Sequence, residues 1–297
     1  MKFIDFTVYP ISKHINNRLF FSHKGEDYSI REPESSPHAN NKNACISEYI
    51  GSHIYNLAGV PACETVLGMY KGNLTAVRKE PLGGSIVTFT SMFDIDKHAA
   101  SCEVNTVLSA IQEQTFVNRE ELTNRFWDMF IVDALIATAP RTLDDWGIVY
   151  DLQRNTAYIS PVLNNNACLY PYVDSSSFSE VYNSRGQNLI SKLYSVPESF
   201  YTTGGKPIDY LAHILSLTNS MCIDALMRII PKLSMPDVEM MINSISCISE
   251  SQKNFYLEIL GHNYHMLNKC VYDAQEQNAQ GTQNTNDNHT NKFNGGN

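Results

Sequence analysis

The order of periodic segments along the chain constrains its fold more than any single motif does. Three short runs of β-forming residues come first, at 3–9, 18–22 and 28–31. Apolar residues with helical spacing follow at 44–57, and then two β-forming runs are joined by the turn Lys71-Gly72-Asn73. Helical periodicity dominates the rest, apart from a strand–turn–strand pattern. This order predicts an α+β fold with a small β-rich lobe, which contains one helix, and a larger helical lobe.

Charge and cysteine spacing exclude several classes of protein. Lys plus Arg total 22 and Asp plus Glu total 31, a net charge of −9. Direct binding to nucleic acid is not expected, because it needs a basic surface. The seven cysteines include no Cys-x-x-Cys pair, which argues against a zinc module and against a disulfide-stapled domain.

The hydropathy of the chain bears on where in the cell the protein is located. The sequence has no run of ~20 apolar residues, as a transmembrane helix would need. Asp5 also interrupts the N-terminus too early for the apolar stretch of a secretion signal. We therefore expect a cytoplasmic protein without membrane association.

The C-terminal tail, 274–297, differs in composition from the rest of the chain. Eleven of its residues are Asn or Gln, and Phe293 is its one aromatic residue. Such a segment cannot bury enough apolar surface to offset the entropy lost on ordering, so we expect it to be disordered. The predicted organisation is a β-rich lobe over 1–82, a helical lobe over 83–273 and this tail.

Two stretches of sequence carry a resemblance to a known family. The first comprises 44–54 (ACISEYIGSHI) and 59–68 (GVPACETVLG), and the second comprises 128–136 (DMFIVDALI), 145–147 (DWG) and 160–163 (SPVL). Together they resemble the HipA-like kinases, in particular the shorter CtkA-type members, over roughly residues 5–270. The resemblance implies a protein-kinase-like fold, ATP and Mg²⁺ as cofactors, and transfer of phosphate to serine or threonine. It also implies a toxin–antitoxin-like setting, with a small regulatory protein as a neighbour.

The resemblance assigns nucleotide-binding roles to Arg31, which departs from the family pattern, and to Glu48, which retains it. Arg31 corresponds to the phosphate-binding lysine, and Glu48 corresponds to the helix glutamate that pairs with it. One interpretation is an Arg31–Glu48 ion pair that holds the lobe together without serving ATP, and the alternative is that Arg31 is an exposed strand arginine. Arg78, at the end of a strand predicted over 74–78, is a third candidate for cofactor binding. The family's glycine-rich phosphate loop corresponds to 9–18, which contains no glycine.

The catalytic loop of the family corresponds to 137–147 (ATAPRTLDDWG). Pro140 lies at the position of the catalytic aspartate, and proline can neither accept a proton nor orient a hydroxyl. Asp144 and Asp145 are possible substitutes for that base. Three positions match the family and are assigned to architecture: Arg141, Trp146 and Gly147.

The two metal-binding positions carry exchanged residue types. Asp145 corresponds to the family's metal-binding asparagine, and Asn164 corresponds to its metal-binding aspartate. Because Mg²⁺ accepts oxygen from carboxylates and amides, one interpretation keeps a metal site at these two residues. The other interpretation is two independent losses at a site without catalytic demand.

These departures favour a pseudokinase, a kinase fold kept as a binding or regulatory module. One alternative is an active ATP-dependent serine/threonine kinase that uses Arg31 for the lysine and Asp144 or Asp145 for the base. Another is a nucleotidyl transferase. ATP and Mg²⁺ are possible cofactors, and an unidentified protein partner is expected.

Overall fold

The computed structural model of the protein describes most of the chain. The described residues are 4–15, 18–31, 43–81, 85–88, 101–138, 141–151, 153–173, 178 and 199–290. They form a sheet region, which consists of a six-stranded sheet and helix α1, and a helical region, which begins at residue 101.

Six short strands build the sheet of the sheet region. They are β1 (Ile4–Asp5), β2 (Lys13–Ile15), β3 (Arg18–His23), β4 (Glu26–Arg31), β5 (Thr65–Tyr70) and β6 (Asn73–Lys79). Their order is β1-β5-β6-β4-β3-β2, and every pairing except the parallel β1–β5 pair is antiparallel. The predicted hairpin joins β5 to β6 through Lys71 and Gly72, both with positive φ, as a type I′ turn requires.

The first predicted strand is shorter than expected. It ends at Asp5, and a 3-10 helix, Phe6–Val8, follows it. The carboxylate of Asp5 accepts a hydrogen bond from the backbone N–H of Thr7 at 2.9 Å, which caps this turn. Side-chain capping therefore overrides the β propensity of the segment.

Helix α1 (Ala44–Leu57) has the predicted bounds and packs across β5 and β6. It ends where Gly59 adopts φ +77°, the left-handed conformation that commonly terminates helices. Its apolar face, with Ile46, Ile50 and Ile54, is buried.

Six helices form the helical region among the described residues. They are α2 (Val104–Glu113), α3 (Arg119–Leu135), α4 (Tyr210–Leu215), α5 (Ser220–Ile229), α6 (Met235–Asn243) and α7 (Glu250–Thr290). Helix α3 lies at the centre and contacts α2, α4, α5 and α7. Its second half is buried almost throughout, which explains why its apolar residues are not confined to one face.

Two three-stranded sheets accompany these helices. One has the order β10-β9-β7 and the other β12-β11-β8. Their strands are β7 (Ser85–Thr88), β8 (Cys102–Glu103), β9 (Gly147–Asp151), β10 (Thr156–Ile159), β11 (Tyr201–Thr203) and β12 (Lys206–Pro207). The hairpin β9–β10 is the predicted strand–turn–strand segment, and the predicted α+β organisation is confirmed.

The described backbone of the tail is helical, since α7 continues to Thr290. Ala274 is its last buried residue, and the side chains described beyond it, at 275–277 and 279, are exposed. Disorder over 274–297 stays a prediction, with 291–297 outside the described residues. In the part of the chain that the structure describes, no helix is long and apolar enough to span a bilayer.

Candidate functional site

A buried arginine organises the loop that corresponds to the catalytic loop. Arg141 donates to both carboxylate oxygens of Asp133 on α3, at 2.8–3.1 Å. It also donates to the carbonyl of Leu163 at 2.7 Å and to Asn165 Oδ1 at 2.8 Å. Burial disfavours the charged guanidinium, but the charge of Asp133, its hydrogen bond and the neighbouring Tyr55 and Asp145 together outweigh burial and raise the pKa of Arg141 well above its usual value. Arg141 thus joins α3 to the segment at 163–165.

The same segment holds α1 in place. Asn165 Nδ2 donates to Ser52 Oγ at 3.0 Å, and Cys168 Sγ contacts the carbonyl of Ser47 at 3.3 Å. Gly51 permits this close packing, because a Cβ at that position would lie 2.8 Å from the Cβ of Asn165. The helix that carries Glu48 is therefore docked against the helical region by short side chains.

Three arginines lie on one face of the six-stranded sheet, and we call them the arginine cluster: Arg18, Arg31 and Arg78. Arg18 on β3 is directly opposite Arg31 on β4 in the antiparallel register. Arg78 on β6 is opposite Ser29, which shares a face of β4 with Arg31. Within this cluster, Arg31 lies at the position that the resemblance assigns to the phosphate-binding lysine.

The arginine cluster contacts the helical region through Asn164. Its Oδ1 accepts hydrogen bonds from Arg18 Nη2 at 2.9 Å and from Arg31 Nη2 at 3.2 Å. Its Nδ2 donates to Asp145 Oδ1 at 2.8 Å. The structure thus brings Asp145 and Asn164 together, but the amide oxygen of Asn164 faces two guanidinium groups.

Arg78 binds a carboxylate of its own strand segment. Its Nε and Nη2 donate to the two oxygens of Glu80 at 2.9 and 3.1 Å. Glu80 also accepts from Ser29 Oγ, which in turn accepts from Arg18 Nη1 at 3.2 Å. Burial lowers the pKa of Arg78, but Glu80 together with the neighbouring Cys63 and Glu48 outweighs burial, and the pKa is raised.

The pKa of Arg18, in contrast to that of Arg78, is lowered. Burial and the charge of Arg78 lower its pKa to about 10, although Glu48 acts in the other direction. A guanidinium with that pKa is still charged at neutral pH. The arginine cluster is therefore strongly cationic and relies on the carboxylates around it.

The predicted Arg31–Glu48 ion pair is wrong. Glu48 is 4% exposed, and neither of its carboxylate oxygens has a hydrogen-bond partner. Arg31 instead extends to Asn164, which a guanidinium can do because its side chain is longer than that of lysine and ends in a fork. Arg31 is half-buried, so the alternative of an exposed strand arginine also does not describe it.

The remaining candidates lie at the edge of this site. Asp145 Oδ2 accepts from the backbone N–H and the hydroxyl of Thr142, at 2.9 and 3.0 Å. Asp144 is exposed and accepts from the hydroxyl of Thr88 at 3.2 Å. Pro140 lies outside the described residues. Both aspartates thus have local partners in the resting structure.

These residues do not fit Mg²⁺. A magnesium ion requires about six oxygen ligands in octahedral geometry. Here Asn164 Oδ1 accepts from two positive side chains, which would repel a divalent ion, and its Nδ2 donates to the carboxylate of Asp145. Among the described residues, no group of three or more His, Cys, Asp or Glu side chains is placed to hold a metal. Anionic groups such as phosphates, in contrast, match the donors of the arginine cluster.

Sequence analysis missed Arg18, although a signal was present. Counting back from the turn at Lys24 and Gly25, which have positive φ, pairs residue 18 with residue 31. A hairpin register therefore predicts two adjacent arginines on one face. The roles of Glu80 and Asn165 have no comparable local signal, because their partners are set by tertiary packing.

The family relationship is supported by known proteins. The serine/threonine-protein kinase CtkA of Helicobacter pylori is 29% identical over 249 residues, which are 80% of this chain and 76% of that protein. The crystal structure of the Helicobacter pylori proinflammatory kinase CtkA has a TM-score of 0.82 at 28% identity and covers 93% of this chain and 100% of that chain.

A second solved structure shows the fold at greater distance. It is the toxin–antitoxin complex of HipA, HipB and operator DNA from Shewanella oneidensis, with a TM-score of 0.56, 8% identity and coverage of 90% of this chain and 67% of that one. No protein-family model matches the chain. The two-lobed kinase-like fold is thus established, and these similarities support the HipA-like, CtkA-type family for this chain.

Proposed function

We propose that this protein is a pseudokinase, in which the kinase fold serves as a binding or regulatory module and transfers no phosphate. One observation carries this proposal: the Oδ1 atom of Asn164 accepts hydrogen bonds from Arg18 and Arg31 at 2.9 and 3.2 Å. In an active member this position is a carboxylate that binds Mg²⁺. An amide held between two guanidinium groups is a poor metal ligand.

Other changes act in the same direction. The base position is Pro140, and the segment at 9–18 has no glycine with which to approach phosphates. Removing one charge-stabilising group from an active site commonly costs about 3–4 kcal/mol, against a total enzymatic stabilisation of about 8–23 kcal/mol. Such effects are not additive, but several together remove most of the rate enhancement.

A phosphotransfer assay tests the proposal. The full-length protein is incubated with Mg²⁺ and ATP labelled at the γ-phosphate, and separately at the α-phosphate, with generic protein substrates. We expect no labelled protein in either reaction. Label from the γ-phosphate would establish an active kinase, and label from the α-phosphate would establish a nucleotidyl transferase. An Asp145→Ala variant controls for contaminating kinases, because alanine supplies no oxygen to this site and activity that depends on the site should be lost.

The partner of such a module is proposed to be a protein. The net charge of −9 disfavours nucleic acid, whose phosphates repel an acidic chain. We also propose a cytoplasmic location, supported by seven free cysteines, of which Cys63, Cys102, Cys168, Cys222 and Cys270 are buried. Affinity capture from a cell lysate with and without nuclease treatment tests the class of partner. A partner lost on nuclease treatment would contradict this part of the proposal.

A further inference from the structure

The arginine cluster has more hydrogen-bond donors than the surrounding acceptors use. An amide oxygen has two lone pairs, and those of Asn164 are both taken by Arg18 and Arg31. Arg31 Nε is buried and has no partner. A buried donor without an acceptor has lost its hydrogen bond to water and gained none in return, so this arrangement is unfavourable unless a further acceptor is present.

The register of the strands adds a second unfavourable contribution, which is electrostatic repulsion. Arg18 and Arg31 lie directly opposite each other on adjacent strands, where like charges destabilise a sheet. Arg78 is neutralised by its two-pronged bond to Glu80. The charges of Arg18 and Arg31 are left facing the helical region, where an uncharged amide is the group they bind.

A ligand can reach this point from solvent. Arg31, Asn164, Asp145 and Glu80 are all partly exposed, whereas Arg18 and Arg78 lie deeper. The accessible edge of the cluster therefore includes the guanidinium with the unused donor. Asp145 at this edge and the buried Glu48 both oppose an incoming anion, so they limit affinity.

We propose that Arg18 and Arg31 bind the phosphoryl group of a small anionic ligand without a divalent cation. A phosphoryl group offers three oxygens to the guanidinium groups of Arg18 and Arg31, which now share the one amide oxygen of Asn164. A guanidinium group can donate two parallel hydrogen bonds to two oxygens of a phosphoryl group. The guanidinium charges take the neutralising role that Mg²⁺ has in an active kinase. This inference rests on the proposed function, because it requires that Asn164 does not hold a metal.

Calorimetric titration of the full-length protein tests the inference. Inorganic pyrophosphate and ATP are titrated separately, each once in EDTA and once in MgCl₂. We expect binding in EDTA that is at least as tight as binding in MgCl₂. Equal affinity for the two ligands would show that the phosphoryl group is recognised alone, and tighter binding of ATP would show that the nucleoside contributes; both support the proposal.

Two variants with opposite expected effects make the test specific. Arg31→Gln should weaken binding about ten- to a hundredfold, since it removes charge-assisted hydrogen bonds. Glu48→Gln should tighten binding about three- to tenfold, because it removes a buried negative charge whose oxygens have no hydrogen bonds to lose. Arg154→Gln is the matched control, since it removes the same charge from a side chain that is 79% exposed on the β9–β10 turn.

Three results would overturn the inference: no binding in EDTA, binding that requires Mg²⁺, or equal losses in Arg31→Gln and Arg154→Gln. If Arg31→Gln does not fold, Glu48→Gln carries the test, and unchanged or weaker binding in that variant contradicts the inference. Failure here is distinct from failure of the proposed function. Mg²⁺-dependent binding without transfer removes only this inference, whereas labelled protein in the phosphotransfer assay removes the pseudokinase proposal.

Discussion

Arg18 Nη2 on strand β3 lies 2.9 Å from Asn164 Oδ1, and this hydrogen bond joins the sheet region to the helical region. The two residues are 146 positions apart in the chain. Arg31 makes a second bond to the same oxygen at 3.2 Å. In the described structure, the position that the resemblance assigns to metal binding therefore serves as a contact between the two parts of the molecule.

Restoring the base alone should not restore activity. We expect Pro140→Asp to transfer no label from γ-labelled ATP, because Asn164 is still bound by the arginines and the metal position is unchanged. The measurement is the phosphotransfer assay with wild type as reference. Phosphorylated protein produced by this single variant would show that the other departures are tolerated.

The Arg141–Asp133 pair should be a major source of stability. Both side chains are buried, so Arg141→Ala leaves an uncompensated carboxylate and should lower the free energy of unfolding by about 3–5 kcal/mol. Arg154→Ala removes an arginine that is 79% exposed and should change it by less than ~1 kcal/mol. Urea denaturation compares the two.

If Arg141→Ala does not fold, Arg141→Lys provides a milder version of the same test. Lysine keeps the charge but cannot reproduce the separate bonds to Leu163 and Asn165. We expect Arg141→Lys to fold, with a free energy of unfolding lower than that of wild type and that of Arg154→Ala. Wild-type stability in Arg141→Lys would contradict the role given to the guanidinium fork.

Two glycines in helices should respond to alanine with opposite signs. At Gly51 the added methyl would lie 2.8 Å from Asn165 Cβ, so Gly51→Ala should lower the free energy of unfolding by about 1–3 kcal/mol. At Gly261 on α7 nothing lies within 4 Å, so alanine should raise it by about 0.5–1 kcal/mol. Thermal unfolding measures both, and effects of the same sign would refute the packing of α1 described above.

Stability should fall as the pH drops below about 6.5, in part because of His53. Burial lowers the pKa of His53, although its hydrogen bond to the carbonyl of Tyr49 acts in the other direction. The unfolded histidine then binds a proton at a higher pH than the folded one, so acidification favours the unfolded state. His53→Gln should make the free energy of unfolding less dependent on pH between pH 8 and pH 5.

The matched control for this pH dependence is His265→Gln, which removes a histidine from an exposed position on α7. Its curve of unfolding free energy against pH should be parallel to that of wild type. A His53→Gln curve that is also parallel to wild type would show that His53 does not contribute.

Removing the tail should leave the folded body intact. Ala274 is the last buried residue among the side chains that the structure describes, so deletion of 275–297 should change the melting temperature by less than about 2 °C. Deletion of 269–297 is the comparison, because it also removes the buried Cys270, Val271 and Ala274 and should be clearly destabilising. Equal losses in both would show that the tail contributes to stability.

Much of the local structure could be predicted from the sequence. The bounds of α1 and the hairpin between β5 and β6 follow from helical spacing and from the turn residues Lys71 and Gly72, since both signals act within a few residues. The predicted length of the first strand is too great, because β propensity takes no account of the hydrogen bond by which Asp5 caps the following turn. The family and its fold followed from motifs that span both regions.

The contacts of the candidate site were less predictable. Glu48 was expected to pair with Arg31, and the structure leaves it buried without a hydrogen bond. Which acceptor a guanidinium binds depends on competition among all groups within its reach. That competition includes Arg18 and Asn164, which are far apart in the chain.

The sequence alone determined which residue types occupy the positions that the resemblance assigns to function, and so predicts the loss of the usual base, lysine and glycine loop. Only the tertiary structure decided which group the arginines bind, namely the amide oxygen of Asn164, which Arg18 and Arg31 share from adjacent strands. Residue identity is a local property of the chain. The partner of a charged side chain is instead settled by packing, because the dielectric environment and the available donors exist only after the two regions have come together.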